Sequence, residues 1–234
     1  MIVHKQTNSG LDSLVAQYVG GELGLGMSVL MASYLTLSPE ARQDVAALEQ
    51  INGALLEEAE PAAMNADALD KLLSRLDEPQ PEIAAEPEAA AEPEAAAKPE
   101  CQTSDVNQDL PAPLRALFAK PIEQERWRFA YPGVRHVELP IGDSGETVKL
   151  LKIKPGKAAP RHTHNGMEAT LVLRGAFRDG ERVYQRGDLA VADHDVQHRP
   201  RAEGEEDCIC LAVTDGALRF TDTIGRMARD FFVR

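Results

Sequence analysis

The chain has 234 residues, 43% of them hydrophobic, and a formal net charge of −13. That allows one large or two small domains with a sizeable core, and it argues against direct nucleic-acid binding, which needs clustered Lys and Arg. No apolar run approaches the roughly 18 residues of a spanning helix, and Met1 is followed by no basic start with an apolar stretch behind it, so a soluble cytoplasmic protein is expected. The three cysteines, Cys101, Cys208 and Cys210, are an odd set that suggests reduced thiols rather than a disulfide framework.

Residues 11–76 read as helices. Leu11, Leu14, Val15, Tyr18 and Val19 form one apolar stripe at helical spacing, and the glycines at 20–21 or 24–26 can end it. The run from Met27 to Leu37 is nearly apolar all round, as expected of a buried helix. Ser38, Pro39 and Glu40 supply an N-cap, a proline at the first helical position and an acid in the first turn, after which Val45, Leu48, Ile51 and Leu55 continue a stripe. A short fourth helix is expected over 66–76. Such a module, about 75 residues long, is near the lower limit for independent stability, so a partner or a staple is expected.

The next segment, 79–113, holds 7 of the 15 prolines and no aromatic residue, with a near-repeat EPEAAA. It cannot build a core and reads as an extended, self-repelling, disordered spacer. Charge follows the same division. Residues 1–78 carry 12 acidic against 4 basic residues, 79–113 carry 8 against 1, and 114–234 carry 18 against 20. An acidic first half suits a basic partner, such as a protein that itself binds DNA, and equally suits a solubilising surface.

Beyond the spacer the period changes to two. Short strands are expected over 134–139, 147–153, 169–173, 176–178, 188–192, 208–214 and 218–221, a pattern of sandwiches and barrels. Within this segment Gly156, His162, His164, Glu168 and Gly175 spell GxxxxxHxHxxxExxxxxxG. His162 and His164, two apart on a strand, point to one face, and Glu168 can add a carboxylate to the same ion. A second segment from Gly187 reaches His198 after a turn at 193–196. Imidazole with carboxylate suits zinc, iron, manganese or nickel. His194 competes with His198 but is expected in the turn, facing solvent. His136 is expected to be a satisfied packing residue, and Cys208 and Cys210, which share one strand face, to be core side chains.

These spacings resemble the two cupin motifs, the second with Asp193, Asp195 and Ala202 where proline, glycine and asparagine are common. The order of a helical module and a cupin further resembles the ChrR-type anti-sigma factors. The likeness extends to ExTLVLxGAFRD over 168–179, DCICLA over 207–212 and the terminal Phe231-Phe232. The resemblance implies a two-domain α plus all-β protein: a small helical bundle over 1–78, an acidic Pro/Ala/Glu linker over 79–113, and a cupin double-stranded β-barrel of jelly-roll type over 114–234. It implies an extracytoplasmic-function sigma factor bound through residues 11–76, with no direct contact to nucleic acid or membrane. The barrel is implied to hold one Zn2+ on His162, His164, Glu168 and His198, with iron, manganese or nickel as alternatives, and to be required for release on singlet oxygen or peroxide. The family's helical zinc motif, HxxxCxxC, is replaced by Tyr34, Ser38 and Ala41, leaving only His4 of four ligands, so this module is expected to be zinc-free. A metal-dependent cupin enzyme, dioxygenase-like with a helical appendage, is the competing expectation, since the same ligands serve cupin oxygenases.

Overall fold

A computed structural model describes residues 8–76, 107–141, 145–216 and 218–220. His4, Cys101, most of the expected spacer, Thr221 and Phe231-Phe232 lie outside the described residues. Among the described residues four helices come first: α1 (Asn8–Gly20), α2 (Leu25–Leu37), α3 (Pro39–Glu58) and α4 (Ala68–Leu76). A single turn, α5 (Ala112–Arg115), precedes eleven strands. These are β1 (Arg128–Tyr131), β2 (Val134–Leu139), β3 (Thr147–Ile153), β4 (His162–His164), β5 (Glu168–Arg174), β6 (Ala176–Asp179), β7 (Arg182–Gln185), β8 (Leu189–Ala192), β9 (Arg201–Glu203), β10 (Cys208–Thr214) and β11 (Leu218–Phe220). No single helix among the described residues is long and apolar enough to cross a membrane.

The chain forms two compact units, Met1–Ile51 with Asp105–Arg234, and Asn52–Ser104. The first is organised by an antiparallel sheet in the order β1-β2-β3-β10-β5-β8. A three-stranded sheet, β7-β6-β9, and the pair β11-β4 complete the barrel. Bridges from His162 to His198 and from Ala158 to Arg201 tie the β4 segment to the chain leading into β9.

The large sheet is buried on both faces. One face of β3, β5 and β10 presents Val148, Leu150, Leu171, Leu173, Leu211 and Val213 to the apolar sides of α1 and α2, where Leu14, Leu30 and Met31 are fully buried. The opposite face carries Val134, Ile153, Val172, Cys208 and Cys210 against Phe177 and Tyr184 of the smaller sheet. Every residue of β10 is buried, which is why CICLAVT reads as an unbroken apolar run instead of an alternation. Likewise α2 is apolar on most sides because it packs against β10 and β5 and also against α5. At roughly 1.5–3 kcal/mol per fully buried Leu or Met, this shared layer is a large part of what holds the unit together.

The expected helices and the strands over 134–139, 147–153 and 208–214 are present with the expected residues. Ser38 caps α3, its Oγ accepting from the Ala41 amide at 3.2 Å. The strands β1, β7 and β9 were not anticipated: each is three or four residues long, and their charged side chains break the alternation.

Candidate metal centre

Two strands and one connecting segment deliver the site. His162 and His164 begin and end β4, so the pleat sends both side chains to the same side, and both are buried. Glu168 opens β5, four residues beyond His164, and His198 arrives through mutual backbone hydrogen bonds with His162, at 3.1 and 3.0 Å. The four offer ligand atoms all within 4.8 Å of one another, and all four residues are buried. His164 Nε2 lies 3.0 Å and His162 Nε2 3.7 Å from Glu168 Oε2, while His198 Nε2 lies 3.8 Å from Oε1.

Their surroundings orient them. His162 Nδ1 is 2.8 Å from the Pro160 carbonyl oxygen, and His198 Nδ1 is 2.8 Å from Asp179 Oδ2. Both acceptors call for a proton on Nδ1, which leaves a lone pair on each Nε2. Those two Nε2 atoms face each other at 3.0 Å. Two lone pairs so placed repel unless a cation or a proton lies between them. Both nitrogens of buried His164 lack a hydrogen-bond partner, so its 3.0 Å approach to Glu168 is a contact without hydrogen-bond geometry. Thr170 Oγ1 donates to Glu168 Oε1 at 3.2 Å. Orphaned imidazole nitrogens and one carboxylate, turned toward a common point, are the donor set of a divalent transition metal.

Electrostatics agree with a site prepared for positive charge. Burial alone would raise the Glu168 pKa, but His162 and His164 hold it well below the ordinary carboxylate range. Burial would also lower His162, and the Glu168 carboxylate with the Pro160 carbonyl outweighs it, so its pKa is raised. Beside Glu168 and His198 lies a small cavity walled by Phe177, Ala190, Ala192 and Pro200.

All four expected ligands therefore meet. His194 is in an exposed turn, where its carbonyl accepts from Thr163 Oγ1 at 2.9 Å. His136 is buried, but its Nδ1 has no hydrogen-bond partner, so it is not the satisfied packing residue expected. Cys208 and Cys210 are buried with sulfurs 3.5 Å apart, and the neighbouring sulfur and burial push the Cys210 thiol well above its ordinary pKa. A thiol held protonated in a core is a poor nucleophile. Asp179, Thr170 and the Pro160 carbonyl had no role in the sequence reading, since none stands at a cupin ligand position.

Residues 117–218 match the ChrR cupin-like domain family. Over 226 residues, 94% of this chain and 95% of the relative, the chain is 37% identical to the anti-sigma-E factor ChrR of Cereibacter sphaeroides. Its fold matches the crystal structure of Rhodobacter sphaeroides SigE in complex with the anti-sigma ChrR with a TM-score of 0.69 and 34% identity, covering 87% of this chain and 96% of that one. Similarity of this depth across helices and barrel alike means that the chain belongs to the ChrR family of anti-sigma factors.

Proposed function

We propose that this protein binds and inhibits a sigma factor of the extracytoplasmic-function group in the cytoplasm, and releases it when a metal-bound cupin domain receives an oxidative signal, singlet oxygen or a peroxide. The observation that carries the reading is the near full-length similarity to an anti-sigma factor, together with the match to a ChrR crystallised in complex with SigE. Residues 1–78 serve as the sigma-binding module, 79–113 as a spacer and 114–234 as the sensing barrel.

A surface suited to the partner supports this. In the unit Asn52–Ser104, Leu55, Leu56, Leu69, Leu72 and Leu73 are at least half exposed, and Met64 is 82% exposed. They make up six of the ten large exposed apolar residues among those described. Apolar residues at helical spacing that face water mark a place where another protein sits.

His162, His164, Glu168 and His198 hold the metal, one Zn2+ in this reading, with the carboxylate offsetting part of its charge. The zinc supplies no redox change of its own. The residues that would hold it come from β4, β5 and the segment before β9, so damage to one of them would loosen the tie among all three. The helical module needs no metal of its own in this reading. Ala41 is 3% exposed, Tyr34 packs on the core beneath α2, and Ser38 is spent on the α3 cap.

The test is transcription by polymerase with the cognate sigma factor, titrated with the full chain carrying zinc, before and after exposure to singlet oxygen. Inhibition that is lost on exposure is the expected result. A chain that neither complexes nor inhibits any sigma factor encoded beside it removes the proposal.

A further inference from the structure

The helix α2 begins without a cap of its own. Its N-cap position is Gly24, which offers no side chain, and its first turn contains no acid. Four amides at a helix start require acceptors, and the positive end of the dipole favours an anion. The acceptor comes from 120 residues away: Glu146, in the loop before β3, takes the Gly26 amide on Oε2 at 2.9 Å and the Met27 amide on Oε1 at 3.3 Å.

The approach is built for contact. A Cβ on Gly26 would stand 2.4 Å from Val148 Cγ2, and one on Gly24 would stand 2.6 Å from Glu146 Oε1. Both glycines let the start of α2 lie against the sheet closely enough for one carboxylate to reach two amides.

The same end of the sheet carries a ligand of the metal centre. Thr147, next to Glu146, is in register with Thr214 of β10, and Thr214 is in register with Glu168 of β5. A second tie runs through the neighbour of that ligand. Asp215 Oδ1 accepts from the Met167 amide at 2.5 Å, and Met167 packs against the core shared with α1 and α2. Glu168 thus stands at one end of a cross-strand row, and Thr147, the chain neighbour of the residue that caps α2, at the other.

We propose that Glu146 is a clasp through which the metal centre and the docking of α2 on the sheet control each other. A bound ion holds Glu168 inward and keeps the row Glu168-Thr214-Thr147 in place, and the carboxylate of Glu146 then stays on the helix. Once the ion is lost, the ligand side chains must separate, the row shifts, and α2 loses its cap. The inference rests on the reading that the barrel holds a metal, and it adds the route by which the helices sense it.

Linkage makes the coupling reciprocal: what the ion does to the clasp, the clasp does to the ion. Hydrogen exchange on the full chain, with zinc or after chelation, reads the first arm. Exchange across residues 25–31 should rise about fivefold or more on chelation, at the low end of ordinary coupling energies. Zinc affinity by chelator competition reads the second, and Glu146→Ala should weaken it by a similar factor, with Glu49→Ala, an exposed acid on α3, leaving it unchanged. If Glu146→Ala melts α2 altogether, Glu146→Gln keeps the length and one acceptor oxygen, and should fall between the two. Gly26→Ala, whose Cβ would stand 2.4 Å from Val148 Cγ2 and 3.0 Å from Glu146 Oε2 and so push the start of α2 off the sheet with the carboxylate still present, should weaken zinc in the same direction. Unaltered zinc affinity in all three variants, with exchange across 25–31 insensitive to zinc, overturns the clasp while leaving the metal centre standing. A wild-type chain that binds no zinc, iron, manganese or nickel removes the metal reading, and the coupling falls with it.

Discussion

His198 presents Nδ1 to Asp179 Oδ2 at 2.8 Å, with both side chains more than nine-tenths buried. The carboxylate fixes the tautomer and aims Nε2 at the other three ligands, a carboxylate–histidine pairing of the kind that supports metal sites. Asp179→Asn keeps the shape but weakens the acceptor, so metal affinity should fall about 10–100-fold with the fold intact. Competition against a chromophoric chelator measures it. Unchanged affinity would reduce the contact to ordinary barrel packing.

Metal removal should lower thermal stability through mass action. An ion held at about 100 times its Kd stabilises by about 2.7 kcal/mol, so chelation should depress the Tm by several degrees. The double change His162→Ala and His164→Ala should abolish this chelator response. A response that persists in the double variant would place the metal elsewhere.

The barrel interior holds one group that predicts a pH dependence. Burial and nearby Lys149 depress the His136 pKa, Glu138 opposes them, and Arg128 adds to the depression. The folded chain thus resists protonating His136, whereas the unfolded chain takes up a proton below about pH 6.5. Its contribution to stability is complete above that pH and is lost as the pH falls toward the depressed value. In urea unfolding of the metal-loaded protein, His136→Leu should flatten the slope of stability against pH below about pH 6.5. An unchanged slope would assign the loss to other groups.

On the exposed helices, Leu72→Asp should leave unfolding stability within about 0.5 kcal/mol, because Leu72 is 58% exposed. Sigma-factor affinity should fall by at least about 30-fold if the residue anchors the contact, the size of a strong interface position. Calorimetric titration of sigma factor into the two chains reads this directly, and equal affinities would move the interface off this surface.

Leu30 on α2 is fully buried in the core shared with the sheet. Leu30→Ala should cost about 2–5 kcal/mol. Trp127, the only tryptophan, donates to the Ile122 carbonyl at 2.8 Å and packs against the same core, so its fluorescence reports that layer. Fluorescence and helical circular dichroism should shift to lower urea together. A helical transition that moves alone would mean that α2 and the sheet unfold separately.

Much of the architecture was legible because it rests on local periodicity. Stripes three and four apart gave α1 and α3 their positions, a run apolar nearly all round gave α2, and the cap at Ser38 was readable because capping is settled within one turn. The grouping of His162 and His164 with Glu168 was legible for the same reason: strand alternation and one tight turn place three candidate ligands from seven residues. His198 was found because its motif turn is also local. What the order of residues could not reveal are contacts between segments far apart in the chain. Asp179 finds His198 only because β6 pairs with β9, and the orphaned Nδ1 of His136 depends on what the closed barrel leaves out of its reach. The carboxylate of Glu146 meets the start of α2 across 119 or 120 residues, a distance at which periodicity carries no information. Local spacing set the elements and the candidate ligand group, while tertiary packing alone decided which carboxylates serve His198 and the start of α2, because only folding brings those charges into the low-dielectric contact where each must find its partner.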